Sequence, residues 1–151
     1  MKPLECLLAA VAALAAPALH AAGFMPADIL KIQTVSDPSF SPDGRTLVYS
    51  VTVADTGKDE ETSDLWTVPL KGGTPTRITQ TAHSEWQPVF APDGAVYFLS
   101  DAGESGGTQV WRMRIGGKPA VVTRFGQDIE DFALAPDGRT LAVIARDPQF
   151  Q

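Results

Sequence analysis

Cysteine, basic residues and long apolar runs are scarce in this sequence, and each shortage excludes a class of protein. The single cysteine among 151 residues, Cys6, excludes a disulfide-stapled domain. Lys and Arg number 12 against 18 Asp and Glu, for a net charge of -6, so the basic face of a nucleic-acid-binding protein is lacking. The apolar run from Leu7 to Leu19 is too short to span a membrane.

The first 22 residues have the features of a secretory signal peptide. Lys2 supplies the positive charge, Leu7 to Leu19 has the length of the apolar region, and the small residues Ala21 and Ala22 follow. We therefore expect an exported protein, periplasmic or secreted, that is cleaved near Ala21 or Ala22. Removal of Cys6 with the signal leaves a mature chain without thiol chemistry or a cysteine-based metal site.

Internal repeats are the strongest feature of the sequence. Three stretches align, "SFSPDGRTLVYS" (39–50), "VFAPDGAVYFLS" (89–100) and "ALAPDGRTLAVI" (133–144). Between them, "LWTVPLKGGTPTRIT" (65–79) matches "VWRMRIGGKPAVVT" (110–123), with one residue deleted before the glycine pair. Two motifs therefore recur in the same order, which is more than the regular turns of a β-sandwich would require.

Each complete repeat is predicted to form four short strands. Pro-Asp-Gly closes a hairpin, because proline fixes φ at the first turn position and Asp-Gly completes the reversal. Beyond this turn Leu47 and Tyr49 alternate with their neighbours as a strand requires, and Trp66, Val68 and Leu70 do the same. A glycine pair then leads into a short fourth strand. The corresponding residues of the later repeats are Val96, Phe98, Trp111, Met113, Ile115, Leu141 and Val143.

Four antiparallel strands in about 44 to 50 residues are typical of one propeller blade. The predicted fold is all-β, an incomplete propeller of about two and a half antiparallel four-stranded blades. Residues 1–22 would be the signal peptide, 23–36 a linker with a short helix, and 37–151 the propeller. The helix would start near Pro26. The repeats would cover about 37–80, 81–124 and 125–151. Closed propellers have about four to eight blades, so we expect an N-terminal fragment of a longer protein.

The repeats resemble those of two groups of propeller proteins. The pattern F-S/A-P-D-G, then a Trp-centred strand, then G-G-x-P-x-x-I/V-T, is similar to the prolyl oligopeptidase family of serine peptidases and to periplasmic TolB-type propellers. The opening "MPADILKIQTVSDPSFSPDGRTLVYSVT" (25–52) resembles the start of bacterial acylaminoacyl-peptidase-like proteins, in which a short helix precedes the first blade. The resemblance covers almost all of the expected mature chain.

The resemblance to the peptidases implies that a full propeller restricts access of short peptides to an α/β-hydrolase domain, which holds Ser, Asp and His. This sequence contains none of that domain, so we expect a non-catalytic portion, and peptide substrates only in a full-length protein. An alternative is a TolB-like propeller that binds a protein partner, and another is a non-functional gene fragment. No nucleic acid, cofactor or membrane span in the mature chain is expected.

"GESGG" (103–107) fits the G-x-S-x-G nucleophile motif and makes Ser105 a candidate catalytic residue. A nucleophile elbow needs a helix after the serine, but the alternation in "TQVWRMRI" (108–115) predicts a strand. A triad also needs a histidine, and after signal removal only His83 remains, in an inter-blade loop. We therefore reject Ser105 as a nucleophile and predict no catalytic residue in this chain.

Other polar and aromatic clusters favour structural roles. His83 and Glu85 are two potential ligands without a third, so no metal site is predicted and a polar inter-blade loop is favoured. The acidic run in "ADTGKDEETSD" (54–64) is interpreted as a solvated loop. Tryptophans recur at strand positions, which favours packing between blades, and the two arginines that alternate with them are expected to face solvent. These residues are Asp59, Glu60, Glu61, Asp64, Trp66, Trp86, Trp111, Arg112 and Arg114.

Overall fold

The computed structural model describes residues 25–57, 59–103 and 107–145, and the predicted signal peptide lies outside these residues. The described chain opens with a 3-10 helix, Pro26–Lys31. Proline occupies its first turn, where the missing N–H costs nothing, and Asp28 accepts a hydrogen bond from the Met25 backbone N–H at 2.8 Å. Ile29, Leu30 and Ile32, large apolar residues of this segment, are exposed.

Among the described residues, ten antiparallel strands follow and form three sheets. The strands of the first sheet, blade 1, are β1 Gln33–Phe40, β2 Thr46–Asp55, β3 Glu60–Pro69 and β4 Thr76–Arg77. Those of blade 2 are β5 Glu85–Phe90, β6 Val96–Ser100, β7 Gln109–Met113 and β8 Ala120–Val121. The third sheet, the C-terminal hairpin, consists of β9 Ile129–Leu134 and β10 Leu141–Ala145. The predicted all-β fold with antiparallel four-stranded blades is confirmed. Within the described residues, no helix is long and apolar enough to cross a bilayer.

Strand β1 begins at Gln33, inside the segment that we expected to be helix and linker. The pairing of β1 with β2 shifts register between Ser36 and Ser39, and Asp37 takes a positive φ of 53°. This β-bulge accommodates Pro38, so the strand continues on both sides of it.

The Pro-Asp-Gly turns join the first two strands of each repeat. Each turn ends on a glycine with positive φ, 65° at Gly44, 76° at Gly94 and 68° at Gly138, where a side chain would be strained. In the first repeat the Ser41 N–H donates a hydrogen bond to the Thr46 carbonyl. In the second repeat the Ala91 N–H donates to the Ala95 carbonyl. The second turn is therefore one residue shorter, and Leu47 of blade 1 corresponds to Val96 of blade 2.

Two hydrophobic clusters of described residues join the three sheets. The first contains side chains from blade 1 and blade 2 and lies between them: Val48, Leu65, Val96, Phe98 and Met113, with Ile78, Phe90 and Trp111 against it. The second joins blade 2 to the C-terminal hairpin: Leu99, Val110, Ile129 and Phe132, with Trp86, Val89, Tyr97, Leu141 and Val143 against it. Each side chain of this size contributes about 1.5–3 kcal/mol of stability when buried. Since both clusters contain residues of blade 2, stacking on its two faces supplies most of the core.

Candidate functional surface

One face of blade 1 is mostly uncovered although it corresponds to a buried face of blade 2, and Val51, opposite Val35 on this face, is 8% exposed. Strand pairing places Leu47 opposite Val68 and Tyr49 opposite Trp66. Blade 2 repeats this arrangement with Val96 opposite Met113 and Phe98 opposite Trp111. We call the blade 1 set the free face, and it consists of Val35, Phe40, Leu47, Tyr49, Trp66 and Val68.

The free face differs from its counterpart in burial, and in apolar composition only at Val35, which corresponds to Glu85 of blade 2. Phe98 is 1% exposed and Val96 fully buried, because they pack against Val48 and Leu65 of blade 1. On the free face Phe40 is 62% and Val35 64% exposed, and the other members are partly exposed. An apolar patch of this kind marks a contact surface. The free face therefore has the residues of a blade-packing surface and lacks a covering blade among the described residues.

The opposite end of the stack is also open within the part of the chain that the structure describes. In blades 1 and 2 the second strand pairs with a third, whereas β10 pairs only with β9 among the described residues. Ile144, on the outer side of the hairpin, is 58% exposed. An unpaired strand edge beside an exposed apolar side chain is a template for a further strand.

The rejected nucleophile Ser105 lies in residues 104–106, outside the described residues. The described residues around it are strands, since β6 ends at Ser100 and β7 begins at Gln109. Gly103 and Gly107 lie close together, because a Cβ placed on Gly103 would collide with the carbonyl oxygen of Gly107. A strand therefore follows the loop at the place where a nucleophile elbow would need a helix.

His83 and Glu85 lie at the junction between blades 1 and 2 but do not contact a common partner. The Nδ1 atom of His83 lies 3.2 Å from an Asp101 carboxylate oxygen, whereas Glu85 accepts a 2.5 Å hydrogen bond from the Thr81 hydroxyl. Glu85 begins strand β5 and is 2% exposed, so it is more buried than a residue of a polar loop. Among the described residues, no group of three or more His, Cys, Asp or Glu side chains is arranged to hold a metal ion.

The interpretation of residues 54–64 as a solvated loop was wrong for most of that segment. Strand β2 runs to Asp55 and β3 starts at Glu60, so seven of these eleven residues lie in strands. Paired hydroxyls stabilise this long polar hairpin, with Thr52 Oγ1 2.8 Å from Ser63 Oγ. Asp64 is buried and accepts a 2.6 Å hydrogen bond from Arg77 of β4.

Trp111 and Arg112 are adjacent on β7 and so occupy opposite faces of the strand. Trp111 packs against the cluster between blades 1 and 2, and Trp86 against the cluster between blade 2 and the hairpin. Trp66, at the position of Trp111, lies on the free face. Arg112 and Arg114 both bind the Asp93 carboxylate, at 2.6 and 3.3 Å, so they clamp the Pro-Asp-Gly turn as well as facing solvent. A hydrogen bond from the Ala95 N–H and these two guanidinium groups lower the pKa of Asp93.

The antiparallel four-stranded sheets and their stacking define a class of protein, the β-propeller. Comparison with protein families matches residues 30–151 to the PD40 family, the TolB beta propeller domain. The chain therefore belongs to that family. This match confirms the resemblance inferred from the Pro-Asp-Gly repeats.

Known relatives are much longer than this chain. Dipeptidyl-peptidase 5 of Porphyromonas gingivalis is 36% identical over 81 residues, which cover 53% of this chain and 12% of that protein. The uncharacterized peptidase YuxL of Bacillus subtilis is 30% identical over 118 residues, or 77% of this chain and 18% of that protein. The chain thus spans less than a fifth of either relative.

Solved structures share the fold. A putative TolB from Agrobacterium tumefaciens superposes with a TM-score of 0.63 at 22% identity, covering 78% of this chain and 40% of that one. The acylaminoacyl peptidase of Pyrococcus horikoshii gives a TM-score of 0.63 at 19% identity, covering 80% of this chain and 19% of that one. At these identities the likeness concerns the fold alone.

Proposed function

We propose that this chain is the non-catalytic propeller portion of an exported prolyl-oligopeptidase-like serine peptidase. The observation that carries the proposal is the free face of blade 1. Five of its six residues repeat apolar residues of the buried face of blade 2, so it requires a covering blade that the described residues do not supply. The two peptidase relatives, each more than five times as long as the aligned segment, support a downstream hydrolase domain in the same polypeptide.

In this proposal the propeller acts by exclusion and not by chemistry. A completed ring of blades over the hydrolase domain would admit short peptides and keep folded proteins and bulk water from the active site. The catalytic serine, aspartate and histidine would belong to the hydrolase domain, and Ser105 would remain a loop residue. Export would follow from the signal-like segment 1–22.

A TolB-like propeller that binds a protein partner is the second candidate. The family match itself is to the TolB beta propeller domain, and the chain covers twice as much of the putative TolB as of the acylaminoacyl peptidase. In this case the loops at one end of the blades would hold the partner and no hydrolase domain would follow.

The coding sequence downstream of Gln151 distinguishes the two candidates. Further Pro-Asp-Gly repeats followed by a G-x-S-x-G serine between a strand and a helix are expected for the peptidase. Further repeats that end in a stop codon would favour the binding propeller. An immediate stop codon would contradict both candidates and leave the gene-fragment interpretation.

The exclusion role has its own test in the full-length protein. We expect rapid hydrolysis of short chromogenic peptides and little cleavage of unfolded casein. Cleavage of casein at a comparable rate per bond would contradict gating by the propeller, even if the peptidase activity were confirmed.

A further inference from the structure

Glu85 is an ionisable residue at a position that is apolar in the other two repeats. Strand pairing aligns Glu85 opposite Ser100, Val35 opposite Val51, and Ile129 opposite Ala145, so Val35 and Ile129 are its counterparts. Glu85 is 2% exposed and lies where blade 1 meets blade 2. A carboxyl group has thus replaced a hydrocarbon side chain at a buried inter-blade position.

The surroundings of Glu85 suit the neutral form of its side chain. The Oε2 atom is buried without a hydrogen-bond partner among the described residues, while Oε1 accepts one bond from Thr81. Burial raises the pKa of Glu85 above its ordinary value, and the hydroxyls of Thr81 and Thr79 offset only part of this rise. The negative charges of Asp64 and Asp101 raise the pKa further.

The charged groups of the neighbouring elements do not neutralise Glu85. Asp64 of β3 faces it and is bound to Arg77 of β4. Asp101, after β6, also faces it and lies beside His83 of the inter-blade loop. Both nearby basic side chains thus already contact another carboxylate. An ionised Glu85 would be a buried charge without a paired cation, which is strongly unfavourable.

We propose that Glu85 is a proton-operated switch at the junction of blades 1 and 2, closed when the carboxyl group is neutral and loosened when it ionises. The element that responds is the inter-blade loop before β5. A 3.3 Å hydrogen bond from the Ser63 N–H to the Ser84 hydroxyl ties this loop to blade 1. Ionisation at Glu85, the next residue, would draw water to Oε2 and weaken that tie. The proposal holds for either candidate function, since both use the same blade stack.

The direction of the pH effect follows from the raised pKa. In the unfolded chain Glu85 titrates near its ordinary value of 4.5. The stability that the neutral form contributes is fully present below that pH and is lost as the pH rises through the folded-state pKa. A single group of this kind changes the unfolding equilibrium by at most about tenfold per pH unit.

Urea unfolding of the 151-residue chain across this pH range tests the switch. We expect the unfolding constant of the wild type to rise by up to about tenfold per pH unit above about pH 4.5, and Glu85→Gln to lack this rise. Glu61→Gln, a change at an exposed glutamate, should follow the wild type. Parallel pH profiles for the wild type and Glu85→Gln would overturn the proposal.

A labelling experiment gives a result even if the chain lacks a cooperative transition. In a Cys6→Ser background, Ser63→Cys provides a single thiol at the junction and keeps the backbone N–H that donates to the Ser84 hydroxyl. The ratio of its maleimide labelling rates with and without Glu85→Gln removes the intrinsic pH dependence of the thiol. We expect this ratio to rise several-fold with pH as Glu85 ionises, and a constant ratio would overturn the switch. This outcome is independent of whether a hydrolase domain follows.

Discussion

Replacement of Phe98 by alanine tests the packing between blades 1 and 2. Phe98 lies on β6 of blade 2 and contacts the cluster that includes Val48 and Leu65 of blade 1. Because it is 1% exposed, truncation removes nearly the whole buried ring and leaves a cavity. Phe→Ala changes at such sites cost about 3–5 kcal/mol, against a total stability of about 5–15 kcal/mol for an ordinary domain.

Tyr49→Ala is the matched control, because Tyr49 occupies the Phe98 position on the free face of blade 1. It is only partly buried, so we expect a loss of about 1 kcal/mol or less in the 151-residue chain. Urea unfolding followed by tryptophan fluorescence measures both free energies, since Trp66 and Trp111 lie opposite the two substituted residues. A Phe98→Ala loss no larger than that of Tyr49→Ala would refute the proposed stacking of the blades. In a longer protein that covers the free face, the Tyr49→Ala loss should approach that of Phe98→Ala.

Two further predictions concern the Pro-Asp-Gly turns. Gly94→Ala should cost about 1–2 kcal/mol of stability for its positive φ alone. Gly138→Ala should cost more, because the new Cβ at position 138 would lie 2.9 Å from Pro92 Cδ. Equal losses of stability in thermal unfolding would contradict this packing. Asp93→Asn should remove a pH-dependent contribution to stability: the lowered pKa of Asp93 stabilises the fold above its unfolded value of 3.8, and this contribution is lost as the pH falls through the folded value. Acid titration of the two proteins should therefore converge at low pH, and a constant difference down to about pH 2 would argue against the Asp93 clamp.

The repeats and their period-two alternation were sufficient to predict the blades. Val96, Phe98 and Met113 are buried on one face as that alternation required. The alternation did not identify the opposite face of each blade as buried. Leu65 lies on that face in blade 1 and Val110 in blade 2, and both are fully buried. Since the inner strands of a stacked blade are covered on both sides, neither set of alternating residues alone describes the core.

Long-range packing explains what the sequence did not predict. Whether Trp66 is covered depends on a neighbouring blade and not on its own strand. The polar hairpin of blade 1 resembled a loop because its strands are stabilised by cross-strand hydroxyls such as Thr52 and Ser63. Burial of Glu85 was equally hidden, although its alignment with Val35 and Ile129 was a signal for an apolar environment.

Labelling of the purified 151-residue protein with a serine-directed fluorophosphonate tests the non-catalytic assignment most directly. We expect no stoichiometric labelling, because the strand at Gln109–Met113 replaces the helix that a nucleophile elbow needs. The full-length protein should be labelled once, on a serine beyond Gln151. Stoichiometric labelling of the short chain that disappears in Ser105→Ala would show that this chain carries its own nucleophile and would contradict the proposed function.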